Sequence, residues 1–183
     1  MKILIRILVL IFFVFSNPAN SNEKLVNSLK EGGKLIFIRH AYAPGNGDPE
    51  NFNLKDCSSQ RNLNWEGINQ SKKIGLFFTQ NKIQIDEVLS SEWCRCKDTA
   101  KYAFNSYKTF NVLNSFYDIR FAKNKNKQIK SLKKYISNWN SKKNLVLVTH
   151  FVVISEILGA ASTSGEIIVS DQNFNIISSI EIN

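Results

Sequence analysis

The sequence has few of the residues that hold metal ions and nucleotides. It contains two histidines, three cysteines and no Cys-x-x-Cys pair, which argues against a zinc site built from these ligands. The pattern GxxxxGK[ST] is absent, which excludes a P-loop that binds nucleoside triphosphates. Internal repeats and low-complexity tracts are absent as well. We therefore expect a single globular domain with no metal and no cofactor.

The first 21 residues have the pattern of a secretory signal peptide. Lys2 and Arg6 make the start positive, residues 7–15 are apolar, and small residues at 19–21 offer a cleavage position. A membrane anchor is the alternative, but the apolar run is well short of the ~20 residues that a spanning helix needs. We predict cleavage near Ser21, a mature domain over residues 22–183 and a periplasmic location, with no stable membrane span after cleavage.

The chain is basic, with a formal net charge of +9. Lysines at 123–127 and at 133–134 contribute much of this charge. A basic surface attracts nucleic acid, membrane headgroups or anionic metabolites. No nucleic-acid-binding motif accompanies the lysines, so we interpret them as the solvated face of a helix and expect no nucleic-acid partner.

The three cysteines are Cys57, Cys94 and Cys96. Export would permit a disulfide, and three cysteines allow one bridge with one thiol left over. The open alternatives are a bridge from Cys57 to Cys94, a bridge from Cys57 to Cys96, and three free buried thiols.

Apolar stretches that favour strands alternate with stretches of helical periodicity from residue 35 to residue 158. This alternation is typical of helices packed on both faces of a parallel sheet. The last two apolar stretches predict an antiparallel hairpin at the sheet edge. The fold class is then α/β, a three-layer α/β/α sandwich with a mainly parallel central sheet. The predicted strands are 35–38, 85–89, 110–113, 145–149, 165–169 and 176–180, and the predicted helices are 22–30, 65–80 with a cap at Asn64, 93–104, 127–139 and 151–158.

Each histidine comes at the end of a predicted strand. His40 follows Arg39 at the end of the first strand, and His150 follows the strand at 145–149. If these strands are parallel neighbours, their carboxyl ends meet at the edge where α/β sheets bind ligands. Arg95, shortly after the strand at 85–89, is expected at the same edge. Guanidinium groups match phosphate oxygens and a neutral imidazole can attack phosphorus, so we predict a phosphate site.

Four motifs in the chain resemble those of the histidine phosphatase superfamily, also called phosphoglycerate mutase-like. Arg39-His40-Ala41 is similar to the RHG or RHA tripeptide that follows the family's first strand. Residues 63–70, LNWEGINQ, resemble the helix start LTxxGxxQ, and residues 90–100 fit SSxxxRxxxTA. Leu147-Val148-Thr149-His150 fits the segment that carries the second histidine. The resemblance spans residues 34 to 158.

This resemblance implies a role for each matched residue. His40 would be the nucleophile, and Arg39, Arg95 and His150 would bind and neutralise the phosphoryl group. Apart from the resemblance, the context Cys94-Arg95-Cys96 suggests a disulfide that would fix the turn that carries Arg95.

Two residues of the long loop after the first strand are further candidates. Asn46, seven positions after Arg39, matches an asparagine that often contacts phosphate in the family, and it is equally placed as a turn residue between two glycines. Arg61 is either a further phosphate contact or a surface charge.

The chain departs from the family in the residue that would protonate the leaving group. Some members have an Asp directly after the second histidine, where this chain has Phe151, and others have a Glu after the third strand. The nearest acid in the latter region is Asp118, which we take as the candidate general acid, with Glu92, Asp48 and Glu50 as rivals. A site without such an acid would suit good leaving groups, such as phosphohistidine or phosphoanhydrides.

The resemblance implies an exported, metal-independent phosphatase that hydrolyses phosphomonoesters through a phosphohistidine on His40. The expected partner is a small phosphorylated substrate, with an envelope sugar phosphate among the candidates. Two alternatives stay open. One is a phosphomutase, and the other is a non-catalytic module that binds phosphorylated sugars.

Overall fold

The computed structural model describes residues 18–183, with side chains from residue 22 onward, so the predicted signal peptide lies outside it except for residues 18–21. None of the helices in this range combines the length and the apolar character needed to cross a membrane. The helices are α1 (Pro18–Glu31), α2 (Trp65–Gln80), α3 (Cys94–Phe104), α4 (Ile119–Ala122), α5 (Lys125–Asn138) and α6 (Phe151–Leu158), and the strands are β1 (Leu35–Arg39), β2 (Ile85–Ser90), β3 (Lys108–Thr109), β4 (Asn144–Thr149), β5 (Ile167–Ser170) and β6 (Ile176–Ile180).

The six strands form one sheet in the order β3-β2-β4-β1-β5-β6. Strands β1, β2, β3 and β4 pair in parallel, whereas β5 pairs antiparallel with β1 and with β6. The prediction of a mainly parallel sheet with a C-terminal hairpin at its edge is confirmed.

Side chains alternate between the two faces of β1, and each face has its own apolar core. Ile36 and Ile38 join the core that α1, α2 and α3 cover. Leu35 and Phe37 join the core that α5 and α6 cover. Because both faces are covered, β1 is apolar along its whole buried length instead of alternating with polar residues. The result is the predicted three-layer arrangement.

One predicted strand was wrong, and one short helix was not predicted. The third strand is Lys108–Thr109, and the predicted strand at 110–113 is instead a short 3-10 helix, Asn111–Leu113. No strand or helix was predicted for the segment that follows, but this segment contains α4. Asp118 is the N-cap of α4, and its side chain accepts a hydrogen bond from the backbone N–H of Arg120. Short apolar runs favour strands and buried turns alike, so periodicity could not separate them here.

The pairing of β1 with β4 sets the position of both histidines. Arg39 is the register partner of Thr149, and the backbone N–H of His40 donates to the Thr149 carbonyl at 2.9 Å. His40 and His150 therefore leave neighbouring parallel strands at the same level, and their ring centroids lie 5.5 Å apart.

Candidate active site

A cavity of about 1000 Å³ lies at the carboxyl ends of the parallel strands. Its wall is formed mainly by the ends of β1 and β4, the loop after β1, the start of α3 and the segment before α4. All seven residues predicted for catalysis or phosphate binding line this one cavity, namely Arg39, His40, Asn46, Arg61, Arg95, Asp118 and His150.

His40 is buried, and one of its ring nitrogens has a defined partner. Nδ1 lies 2.8 Å from the carbonyl oxygen of Ala41. A carbonyl only accepts, so Nδ1 carries the proton and Nε2 keeps a lone pair. Burial, together with the positive charge of Arg95, holds the pKa of His40 well below its usual range. The imidazole is thus neutral at neutral pH, which is the form that can act as a nucleophile.

His150 is equally buried and lies beside Ser91 and Cys96. Its Nε2 is 2.9 Å from Ser91 Oγ and 3.5 Å from Cys96 Sγ. Burial, followed by the charge of Arg95, lowers the pKa of His150 well below its usual range. Both histidines of the cavity are therefore neutral when the site is empty.

Arg95 is paired with Asp48, a residue of the loop after β1. The two nearest atoms, Nη1 of Arg95 and Oδ1 of Asp48, are 2.8 Å apart. Asp48 also accepts hydrogen bonds from the indole Nε1 of Trp93 at 3.0 Å and from the backbone N–H of Arg61 at 3.1 Å. Although burial opposes it, the hydrogen bonds and charge of Arg95 lower the pKa of Asp48, so this carboxylate is ionised.

Arg39 and Arg61 carry charges that no carboxylate neutralises, because neither forms an ion pair within residues 22–183. Arg39 Nη1 donates to the Ser162 carbonyl at 2.5 Å, and Arg61 Nε donates to the Gly47 carbonyl at 2.9 Å. Burial and the charge of Arg95 lower the pKa of both guanidiniums. The cavity wall carries three guanidiniums and two carboxylates, Asp48 and Asp118, and Asp118 is paired with Arg120 outside the wall. The remaining positive charge makes the cavity a site for an anion.

The two sequence motifs after β1 and β2 are joined directly. Thr99 Oγ1 accepts a hydrogen bond from the backbone N–H of Ala41 at 2.9 Å and donates to the carbonyl of Arg95 at 2.7 Å. One threonine thus fixes the turn after His40 relative to the helix that carries Arg95.

The helix-start motif also holds this turn. A Cβ at Gly67 would lie 2.0 Å from the carbonyl oxygen of Tyr42, so only glycine permits this close approach. Gln70 Oε1 accepts from the backbone N–H of Tyr42 at 2.9 Å, and its Nε2 donates to the carbonyls of Ser164 and Ile182. Both residues therefore position the loop without touching the centre of the cavity.

Asp118 lines the cavity but is in the wrong protonation state for a general acid. It accepts hydrogen bonds from the side chain and backbone of Arg120. These bonds lower the pKa of Asp118 to about 2. An acid must hold a proton at the working pH, so the geometry disfavours the predicted role.

Asn46 and the cysteines complete the set of predicted residues. Asn46 lies on the exposed part of the cavity wall between Gly45 and Gly47. Cys57 and Cys94 form a disulfide, and Cys96 is a buried free thiol. The bridge joins the loop after β1 to the start of α3, next to Arg95. In the part of the chain that the structure describes, no cluster of three or more His, Cys, Asp and Glu residues is arranged to hold a metal ion.

Neither a family model nor a curated protein matches the sequence. Solved structures match in fold. The protein histidine phosphatase SixA, in complex with tungstate, aligns with a TM-score of 0.53 and 15% identity, over 80% of this chain and 96% of SixA. A phosphoglycerate mutase from Thermus thermophilus aligns with a TM-score of 0.60 and 15% identity, over 82% of this chain and 99% of the mutase. This chain has the phosphoglycerate mutase-like fold.

Three residues of the site were not anticipated in their observed roles. Asp48 was considered only as a rival acid, whereas it holds Arg95, and Trp93 supports it from the other side. Asn114, bonded to Ser91 next to His150, was not considered at all. No spacing in the sequence marks these contacts, because each joins segments that are more than 20 residues apart.

Proposed function

We propose that the protein hydrolyses phosphomonoesters by transferring the phosphoryl group to Nε2 of His40. The observation that carries this proposal is the unprotonated Nε2 of a buried histidine in a cavity lined by three guanidiniums. The lone pair of Nε2 attacks phosphorus, and the bond to the leaving oxygen breaks with its electron pair staying on oxygen. Water then attacks the phosphorus of the phosphohistidine, the P–N bond breaks with its electron pair returning to Nε2, and inorganic phosphate is released.

The charges of the cavity support this reaction. In phosphoryl transfer the protein mainly positions the group and stabilises charge on its equatorial oxygens. Arg39, Arg95 and Arg61 supply these positive charges, with His150 on the remaining side. The tungstate bound to SixA is a tetrahedral oxyanion, so at least one protein with this fold binds an anion of the shape that we propose here.

The cavity also has room and contacts for a leaving group larger than phosphate. Tyr42, Tyr117 and Phe151 stand on its wall with 42%, 63% and 39% of their surface exposed. Aromatic faces pack against flat apolar groups and rings. We propose a small phosphorylated substrate that carries such a ring, with an envelope sugar phosphate as the compound to assay first.

Hydrolysis of p-nitrophenyl phosphate tests the mechanism. His40→Ala should lower the rate about a thousandfold or more, whereas Lys72→Ala, a change at an exposed position of α2, should leave it unchanged. Quenching with radiolabelled substrate should trap acid-labile phosphohistidine in the wild type and not in His40→Ala. Vanadate should inhibit, and EDTA should have no effect. A retained rate in a folded His40→Ala protein would refute the proposal.

A phosphomutase is the second candidate, and the phosphoglycerate mutase among the solved structures of this fold favours it. A mutase forms the same phosphohistidine but returns the phosphoryl group to a hydroxyl of a substrate. Release of one inorganic phosphate for each molecule of product supports hydrolysis, and transfer without such release supports the mutase.

We further propose that the chain is exported and that the mature domain begins at residue 22. The leader pattern of residues 1–21 and the disulfide between Cys57 and Cys94 support an oxidising compartment. Leu25 and Leu29 are fully buried and follow the proposed cleavage position, so cleavage keeps them. Mass spectrometry of the periplasmic fraction should find an N-terminus near residue 22, and recovery of cytoplasmic protein with residue 2 at its N-terminus would contradict export.

A further inference from the structure

A chain of hydrogen bonds runs from His150 away from the cavity to Asn114, the residue that follows the 3-10 helix Asn111–Leu113. His150 Nε2 lies 2.9 Å from Ser91 Oγ, which lies 3.1 Å from Asn114 Oδ1. A serine hydroxyl has one proton, so its donor direction decides which histidine nitrogen is protonated.

The orientation of the Asn114 amide follows from its two contacts with Glu92. The backbone N–H of Glu92, which can only donate, lies 2.9 Å from Oδ1. The carboxylate of Glu92, which accepts, lies 2.6 Å from Nδ2. The amide oxygen therefore faces Ser91, and it can only accept there.

Ser91 consequently donates its single proton to Asn114. Its oxygen also accepts from the backbone N–H of Trp93 at 3.3 Å. The contact between Ser91 Oγ and His150 Nε2 then needs a proton from the histidine, because the hydroxyl has none left. His150 is protonated at Nε2.

The neighbouring thiol agrees with this assignment. Cys96 Sγ lies 3.6 Å from the Thr149 carbonyl, to which its S–H donates, and 3.5 Å from His150 Nε2. Burial raises the pKa of Cys96 to about 12, so the sulfur keeps its proton and serves as a second, weak acceptor for Nε2–H.

The two histidines of the cavity thus hold opposite tautomers. His40 is protonated at Nδ1 and bare at Nε2, whereas His150 is protonated at Nε2 and bare at Nδ1. Within the described residues no hydrogen bond involves Nδ1 of His150, and this side chain does not cap α6. An unprotonated ring nitrogen can only accept a hydrogen bond. It therefore repels a deprotonated phosphate oxygen, whereas it accepts a hydrogen bond from a P–O–H group.

We propose that Asn114 is a positioning residue that acts through Ser91 to keep Nδ1 of His150 unprotonated, so that the site binds a phosphate group together with one proton. The ligand class is then the monoanion of a phosphomonoester, whose proton is donated to Nδ1 or moves onto it. The assignment of phosphate as the ligand rests on the proposed function, but the tautomer does not.

The charged groups around His150 do not supply this proton. Three guanidiniums oppose protonation of the ring in the empty site, and Asp48 is bound to one of them. Glu92 lies on the far side of Asn114. Cys96 lies beside the ring of His150, Asp48 is bound to Arg95, Asp118 lines the same cavity, and Glu92 is connected to the ring only through Asn114 and Ser91. The charged or titratable groups that act on the ring directly are Arg39, His40, Arg61 and Arg95.

Nitrogen NMR on the mature protein tests the tautomers without any substitution. The chain has only two histidines, so the imidazole spectrum is simple, and His40→Gln assigns it. The expected result is a proton on Nε2 of His150 and on Nδ1 of His40 near neutral pH. A proton on Nδ1 of His150 in the free protein would overturn the proposal.

Calorimetry with inorganic phosphate tests the consequence. Titrations in buffers of different ionisation enthalpy give the number of protons that the complex takes up on binding. At pH values above the second pKa of phosphate, this number should be one, and the affinity for phosphate should fall about tenfold for each unit of rising pH. Asn114→Ala frees Ser91 to donate to His150, so this pH dependence should flatten. Asn111→Ala, an exposed asparagine on the same 3-10 helix, should keep the wild-type slope.

The outcomes separate this inference from the proposed function. Binding of phosphate without proton uptake, or an unchanged slope in a folded Asn114→Ala protein, would overturn the inference even if hydrolysis occurs. Proton-linked binding without any turnover would support the inference while the proposed function fails.

Discussion

Both terminal nitrogens of Arg95 are held by the carboxylate of Asp48, with Nη1 at 2.8 Å from Oδ1 and Nη2 at 3.2 Å from Oδ2. The two side chains are 4% and 9% exposed. A phosphate that enters the cavity must therefore share Arg95 with Asp48 or bind through the remaining N–H donors of Arg95, among them the buried Nε, which has no hydrogen-bond partner among the described residues.

Removing the carboxylate should expose how much Asp48 stabilises the empty site. Asp48→Ala leaves a buried guanidinium unpaired beside two other cations, and breaking such a pair costs about 3 kcal/mol or more. Inorganic phosphate should raise the melting temperature of this variant more than that of the wild type, because the anion replaces the lost charge. Glu50→Ala in the same loop, whose side chain is exposed, serves as the control. If phosphate raised the melting temperatures of Asp48→Ala and of the wild type by the same amount, the anion would not be replacing the charge of Asp48.

The two histidines should make the stability depend on pH. Their pKa values are lowered in the folded protein from the ordinary value of 6.5, so between these values the unfolded chain binds more protons. Stability is then fully present above about pH 6.5 and falls as the pH drops below it, by up to about 1.4 kcal/mol per pH unit for each histidine.

Urea unfolding at a series of pH values measures this slope. His150→Gln should remove about half of it, because one of the two groups no longer titrates. A free energy of unfolding that stays constant below this pH would show that the histidines are not held neutral.

The disulfide should stabilise both the fold and the site. It closes a sequence separation of 37 residues, and loop-closure entropy assigns such a crosslink about 4 kcal/mol. Reduction of the wild type should lower the melting temperature and weaken phosphate binding, because the loop with Asp48 and Arg61 is released from α3. The double variant Cys57→Ser/Cys94→Ser should match the reduced protein and no longer respond to dithiothreitol. If dithiothreitol changed neither the melting temperature nor the phosphate affinity of the wild type, this result would contradict a stabilising role for the disulfide.

Asp118→Asn tests whether Asp118 protonates the leaving group. Removal of a general acid costs about 10²–10⁴ in rate, and most for leaving groups of high pKa. Since Asp118 is ionised by its bonds to Arg120, we expect less than a tenfold loss for both p-nitrophenyl phosphate and an alkyl phosphate. A hundredfold loss confined to the alkyl phosphate would restore Asp118 as the acid.

The proximity of His40, His150 and Arg95 could be predicted from the sequence, because each residue lies at or shortly after the carboxyl end of a predicted strand. In a parallel sheet every carboxyl end lies at one edge, and the apolar runs before His40 and His150 identify the strands. The helix Trp65–Gln80 was predicted with the same bounds, since Asn64 is a strong cap whose Oδ1 accepts a hydrogen bond from the backbone N–H of Gly67.

The ion pair of Arg95 could not be predicted from the sequence. Asp48 lies in a loop between Gly47 and Pro49, and its direction depends on Trp93 and Arg95, which are 45 and 47 residues away. Loop conformations of this kind are set by such long-range contacts and not by local propensity. The same holds for Asn114, whose amide is oriented by Glu92, 22 residues before it.

The intrinsic fluorescence of Trp93 should report on anion binding in the cavity. Its indole is 2% exposed, bonded to Asp48 and packed against the ring of His150 at a centroid distance of 5.3 Å. Trp65 is 75% exposed, and Trp139 is half-buried with its indole bonded to Asp86, so an aqueous quencher should reduce the emission of Trp65 most and that of Trp93 least. An anion that draws Arg95 away from Asp48 would alter the field around that indole, and occupancy could be followed in an unlabelled protein.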